Sequence, residues 1–270
     1  MANQQTSLAN RVRPLGQMLQ RLRQAGLRQG NTLELLLPRG WPESHGIIHW
    51  RLRGGAGAAP HGQVTELNQI PGVGAMTRVH AWTPPSESLL TRVTLPTRSR
   101  AKIQQALPYA LEDQLIGDPD QLHFAYRVLD DASLAVAITA RARLQAWISR
   151  LTDAGLRPVS LCPAELALPL IDHSWSASFH ADEIWVRTGM ASGFVCAASG
   201  HTLPSMLETA VREAREKQLE PQGLTVMQPP SGFDPNAWTT QLKLAVQTQK
   251  QGFWEAHHES TPALNLLQGA

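Results

Sequence analysis

Apolar positions recur along this chain with two periods, and the alternation of those periods predicts its elements. Leu33 to Leu37 is a short apolar run closed by Pro38, Gly46 to Arg53 alternates weakly, and Gln63 to Leu67 is a third strand-like stretch. Gly54 to Gly62 is a glycine-rich turn segment, so these three runs predict a β-meander. Val79–Trp82 and Leu90–Leu95 add two strands around Pro84-Pro85. The period then lengthens. Ile103, Ala106, Leu107, Ala110, Leu111 and Leu115 fall at three- and four-residue steps, which makes one face of a helix with Ser99 at its start. Pro108 sits inside that stripe, where it removes the hydrogen bond to the Gln104 carbonyl and predicts a kink. The helix is expected to end at Gly117-Asp118-Pro119.

His123–Leu129 and Ser133–Thr139 follow as a strand pair joined at Asp130-Asp131. Arg141–Ala154 carries Leu144, Trp147, Ile148 and Leu151 on one side, and Gly155 closes it. Arg157–Cys162 is the next strand, and Ala164–Ile171 reads as a short helix. From Trp175 the pattern restarts. Ser176–His180, Glu183–Arg187 and Gly193–Ala198 predict a second meander. Pro204–Gln218 is an amphipathic helix, Leu224–Met227 a strand, Pro235–Lys250 a last helix and residues 251–262 a polar linker. A meander followed by helices and strands therefore occurs twice. The halves share a pattern and not residues, and the periodicity alone licenses an α/β or α+β protein in two lobes.

Composition narrows the class. The chain of 270 residues is 42% hydrophobic and 17% charged, ordinary for a globular protein and too apolar for disorder. Its net charge of +2 points to no particular partner. Cys162 and Cys196 lie in apolar runs, which suits buried free thiols. The first thirty residues hold Arg11, Arg13, Arg21, Arg23 and Arg28 without an acid. Pro14 with Leu15, Leu19 and Leu22 makes a basic amphipathic helix, either a terminal helix packed on its own domain or one that lies on anionic lipid.

Catalytic patterns are weak. There is no Walker motif, and Gly55-x-Gly57 and Gly72-x-Gly74 lack the third glycine of a dinucleotide loop. His45 and His49 flank a strand, where that spacing does not converge on a metal, and His257-His258 falls in the polar linker. Glu112 and Asp113 are adjacent, so on a helix they point about 100° apart. Basic residues are not interleaved with aromatics, which argues against a nucleic-acid groove. Neither a metal nor a cofactor is expected. What remains is a contact surface. Leu107, Pro108, Tyr109, Leu111, Glu112 and Asp113 combine an aromatic at a proline with acidic neighbours. Tyr109 either serves an interface or packs against the strand of Phe124 and Tyr126.

The stretch from Ala106 to Arg127, with Leu107-Pro108-Tyr109-x-Leu111-Glu112-Asp113-Gln114-Leu115 followed by Leu122-His123-Phe124, resembles the cytoplasmic half of the L protein of bacterial type II secretion, the GspL family. Ala263–Gly269 is similar to the motif that precedes that family's single membrane helix, and Thr152–Leu170 adds a weaker similarity. The resemblance implies an actin-like, ribonuclease-H-like two-lobed α/β fold with a small inserted α/β subdomain. Its boundaries would be 1–32 for a basic extension, 33–97 for the first lobe, 98–155 for the insert, 156–250 for the second lobe and 251–270 for a linker and juxtamembrane motif. It implies a non-catalytic adaptor on the cytoplasmic face of the inner membrane, anchored by a helix beyond Ala270. Its partners would be the secretion ATPase GspE, the platform proteins GspM and GspF, and a second copy of itself.

An actin-like fold raises a nucleotide-binding protein or ATPase as the alternative. Such sites need two turns that carry glycines and acids. The turns expected here, 38–46 and 188–193, lack an Asp-x-Gly pattern and an acid respectively. Leu264, Asn265, Leu266 and Leu267 look like the peptide by which the pilus protein PilN engages the actin-like PilM. These four residues are expected to dock on this chain or on a neighbouring copy, with exposed disorder as the alternative.

Overall fold

The computed structural model describes residues 32–53, 59–71, 77–115, 117–256 and 264–270. The basic helix expected before residue 32, both short glycine patterns and His257-His258 lie outside them. The chain divides into two compact units, one built on residues up to Ala81 with Trp147–Val159, the other on Trp82–Ala146 with Ser160–Ala270.

In the first unit, β1 (Thr32–Leu36), β2 (Ile48–Arg53) and β3 (His61–Val64) form the meander. β1 and β2 run antiparallel, with Leu33 opposite Leu52 and Leu35 opposite Trp50, so these side chains share one face. With β4 (Thr77–Thr83) and β8 (Leu156–Pro163) the sheet has the order β3-β2-β1-β4-β8. In the second half of α2 (Arg141–Asp153), Trp147 and Leu151 are fully buried. Trp147 Nε1 donates to the Trp41 carbonyl at 3.0 Å, so the large ring is buried with its polar atom satisfied. Gly155, at φ 75, supplies the left-handed residue that ends α2.

The second unit holds two sheets. One contains β9 (Ser174–His180), β10 (Glu183–Gly189), β11 (Ser192–Ala197), β12 (Gly223–Met227) and β13 (Ala245–Gln249) in the order β11-β10-β9-β12-β13. The first three strands are antiparallel neighbours, and β12 lies parallel to both β9 and β13. Helices α3 (Ser205–Glu216) and α4 (Pro235–Leu242) cover this sheet with Leu207, Val211, Trp238 and Leu242 over Trp175, Ala177, Ile184 and Val226. The other sheet has the order β5-β7-β6, from β5 (Leu89–Val93), β6 (Leu122–Val128) and β7 (Leu134–Ala140). Helix α1 (Arg100–Ala110) packs on it through Ile103, Leu107 and Leu111, against Tyr126, Leu134, Val136 and Ile138.

Three expectations need correction. Helix α1 does not run to Gly117; it ends at Ala110, two residues after Pro108, and a 3-10 turn spans Glu112–Gln114. Pro108 withdraws one donor and crowds the preceding turn. Within a few residues the bonds shorten to Gln114 N to Leu111 O and Leu115 N to Glu112 O. The helix expected over Ala164–Ile171 is only a 3-10 turn, Ala164–Ala167. Pro169 holds Leu168 extended, at φ −60 and ψ 153. The last helix stops at Leu242, where Lys243 adopts φ 52, and the remaining residues form β13.

Candidate functional site

The signature residues separate by burial. Leu107 and Leu111 are 1% and 0% exposed, core residues that act from beneath and are closed to a partner. Tyr109, between them in sequence, is 77% exposed, which removes the alternative that its ring packs beside Phe124 and Tyr126. Pro108 is half-buried, and Glu112 and Asp113 are exposed. Helical geometry explains the split: Leu107 and Leu111 are one turn apart, while Tyr109 points about 160° away from Leu111. An aromatic ring with a polar tip thus stands beside two carboxylates on a firm apolar base.

The C-terminal peptide is docked. Leu264 and Leu266 are 2% and 0% exposed, and Asn265 and Leu267 are half-buried. Asn265 Oδ1 accepts from the Leu161 amide at 3.0 Å, and the Leu266 amide donates to the Leu161 carbonyl at 2.8 Å. Asn265 Oδ1 also accepts from Leu267 N at 3.1 Å, which braces the turn. Each fully buried leucine contributes about 1.5–3 kcal/mol. Residues that sequence reasoning missed complete the site. Gln268 Oε1 accepts from the Tyr126 amide at 2.7 Å. His123, 5% exposed, is buried beside the peptide; burial lowers its pKa, the Leu266 backbone opposes that, and Arg141 reinforces it. Gly269, at φ 75, ends the peptide near α1, where an added Cβ would be 3.7 Å from Gln104 Nε2. Before this peptide, α5 (Phe253–Ala256) sets Phe253 edge-on to Trp82, His180 and Trp185, with centroids 6.4, 5.9 and 6.0 Å away.

The turns weighed as phosphate cradles are not equivalent. Residues 38–46 lie between the first and second strands of their meander, whereas 188–193 joins the second and third strands of the other. The counterpart of the first is the Ala181-Asp182 turn, which has no glycine. Behind 188–193, Arg187 is 2% exposed. Its guanidinium donates to the carbonyls of Leu166, Leu168, Gly189 and Met190 at 2.8, 2.6, 3.0 and 3.0 Å. That arrangement ties the 164–168 turn to the hairpin. Beside it, the carboxyl of Glu165 is fully buried, and burial, helped by Glu183, pushes its pKa up to about 8. Cys162 and Cys196 are free and buried, with thiols raised by burial. Among the described residues, no group of three or more His, Cys, Asp or Glu converges as a metal site. No helix among them is long and apolar enough to cross a membrane.

Two sheets with the same order, third strand–second–first–fourth–fifth counting along each, define a duplicated α/β protein of the actin-like, ribonuclease-H-like class. Solved structures share the fold. The cytoplasmic domain of EpsL, an inner membrane component of the type II secretion system of Vibrio cholerae, has a TM-score of 0.62 at 21% identity, over 79% of this chain and 92% of that one. The PilM–PilN type IV pilus biogenesis complex gives 0.57 at 15% identity, over 84% and 89%. The family model for type II secretion system (T2SS) protein L matches residues 55–270, and the chain belongs to that family. It is similar to the protein L of Dickeya chrysanthemi, 33% identical over 124 residues, or 46% of this chain and 31% of that protein. That of Klebsiella pneumoniae is 34% identical over 131 residues, or 47% and 33%. The chain thus spans about a third of the length of these curated relatives.

Proposed function

We propose that this chain is a non-catalytic adaptor of the type II secretion platform at the cytoplasmic face of the inner membrane. It docks the secretion ATPase GspE through the surface around Tyr109 and links it to GspM and GspF. The observation that carries this reading is the 77% exposure of Tyr109 directly above two buried leucines. A large ring left in water above buried leucines, flanked by Glu112 and Asp113, suits a contact that gains area at low entropic cost and is steered by charge. Membership in the protein L family supports the assembly it serves. The Vibrio relative's description as an inner membrane component supports the location.

The test is calorimetric titration of the chain with the N-terminal region of the cognate ATPase. Tyr109→Ala should weaken binding by about 1–2 kcal/mol, in the range of interface truncations. Glu112→Lys with Asp113→Lys should weaken it further and change its salt dependence. Binding that neither variant alters would move the contact elsewhere on the chain. A folded wild-type chain that binds nothing would overturn the adaptor reading.

A further inference from the structure

The docked peptide reaches the signature helix through the strand beneath it. Gln268 fixes the backbone of Tyr126 at the open side of β6, and the Tyr126 ring belongs to the core on which Ile103, Leu107 and Leu111 sit. The peptide also ends near α1, since a Cβ added at Gly269 would be 3.7 Å from Gln104 Nε2. It therefore grips the strand beneath the helix and ends close to the helix itself.

Helix α1 is a weak element that depends on such support. It has eleven residues, a proline inside, no side-chain bond at its Ser99 cap and no acidic residue in its first turn. An isolated helix of that length is marginal in water. Pro108 donates nothing to the carbonyl of Gln104, so the helix lacks a rung. A helix held mainly by its neighbours changes when they leave.

We infer that Leu264–Gly269 is a latch on the signature helix: docked, it holds α1 in the form that presents Tyr109, Glu112 and Asp113, and released, it lets that surface loosen. The identity of the partner rests on the adaptor reading above; the latch itself does not. Because coupling between two binding events is reciprocal, a partner seated on Tyr109 tightens the peptide by the same factor by which the peptide tightens the partner. Events at the C-terminal segment and at the partner surface then share one equilibrium.

Hydrogen exchange on the whole 270-residue chain tests this. Leu264→Asp with Leu266→Asp removes the apolar anchors, and the milder Asn265→Ala with Gln268→Ala keeps the apolar anchors and removes the side-chain bonds to Leu161, Leu267 and Tyr126. In both, amides of 100–111 and 122–128 should exchange about tenfold faster, while those of 205–227 keep their wild-type rates. If the aspartate pair accelerates 205–227 as well, the milder pair decides. Peptide amides that exchange freely while 100–111 retains full protection would overturn the latch. A second arm titrates the same variants with the N-terminal region of the ATPase, where the milder pair should bind about fivefold more weakly. Equal affinity would overturn the coupling to the partner. A wild-type chain that binds no fragment would sink the adaptor reading and leave the exchange result to judge the latch alone.

Discussion

Glu165 is a carboxyl closed off from bulk solvent. It is fully buried, and its Oε2 has no hydrogen-bond partner. Gly193 makes room for it, since a Cβ there would sit 2.8 Å from Glu165 Cγ and 2.6 Å from the Val186 carbonyl. Its pKa is pushed up to about 8 in the fold, while the unfolded chain titrates it near the ordinary value of about 4.3. The folded state thus keeps a proton that the unfolded state releases between those values. Stability falls as pH rises through that window, by up to about 1.4 kcal/mol per pH unit. Glu165→Gln should flatten this slope and raise the urea midpoint at pH near 7.5 more than at pH near 5.5. A variant whose midpoint follows the wild-type slope would show that Glu165 is not the titrating group. Such a residue is invisible beforehand: Ala164-Glu165-Leu166 reads as an ordinary helical turn, and only Arg187 and Gly193, more than twenty residues on, close it in.

At the scale of elements, the clearest case of hidden structure is the end of α4. Lys243 takes the left-handed conformation at φ 52, which costs a residue with a Cβ about 1 kcal/mol. Its side chain is exposed, so Lys243→Gly should raise stability by about 0.5–1 kcal/mol in chemical denaturation. A loss would mean that the lysine makes a contact worth more than the strain. The same residue explains why Pro235–Lys250 looked like one helix. Helices usually stop at glycine, and none is there, while Ala245–Gln249 is a mostly exposed edge strand whose polar residues carry no period-two signal. By contrast, α2 was legible because Leu144, Trp147 and Leu151 are buried on one side with Ile148 partly covered beside them. In the signature stretch, Pro108 announced a disturbance, but whether it would bend or end the helix depended on packing that the local residues do not encode. The docking of Leu264 and Leu266 could be anticipated from alternate apolar anchors. Its partners Leu161 and Tyr126 could not, because no local pattern links residues so far apart.

For the whole molecule, the repeated meander was readable as pattern in both halves, whereas the placing of β4 beside β1 and of β12 beside β9 was not. Those pairings join strands separated by other elements, and register between them is set by tertiary burial. The resemblance also implies a second copy as partner; if it holds, light scattering returns twice the chain mass of 29.6 kDa, and the single mass would leave the chain acting as a monomer.

The docked peptide also imposes an order of events in time. Asn265 and Gln268 meet backbone groups 104 and 142 residues earlier in the chain. During synthesis, Leu161 and Tyr126 leave the ribosome long before the residues that will cover them exist. For that interval the amides of both strands face water or whatever else is near, with the hazards of any unpaired strand edge. Until residues 264–268 emerge, those two strands lack the groups that cap them in the folded chain, and a message truncated before residue 264 would leave them uncapped.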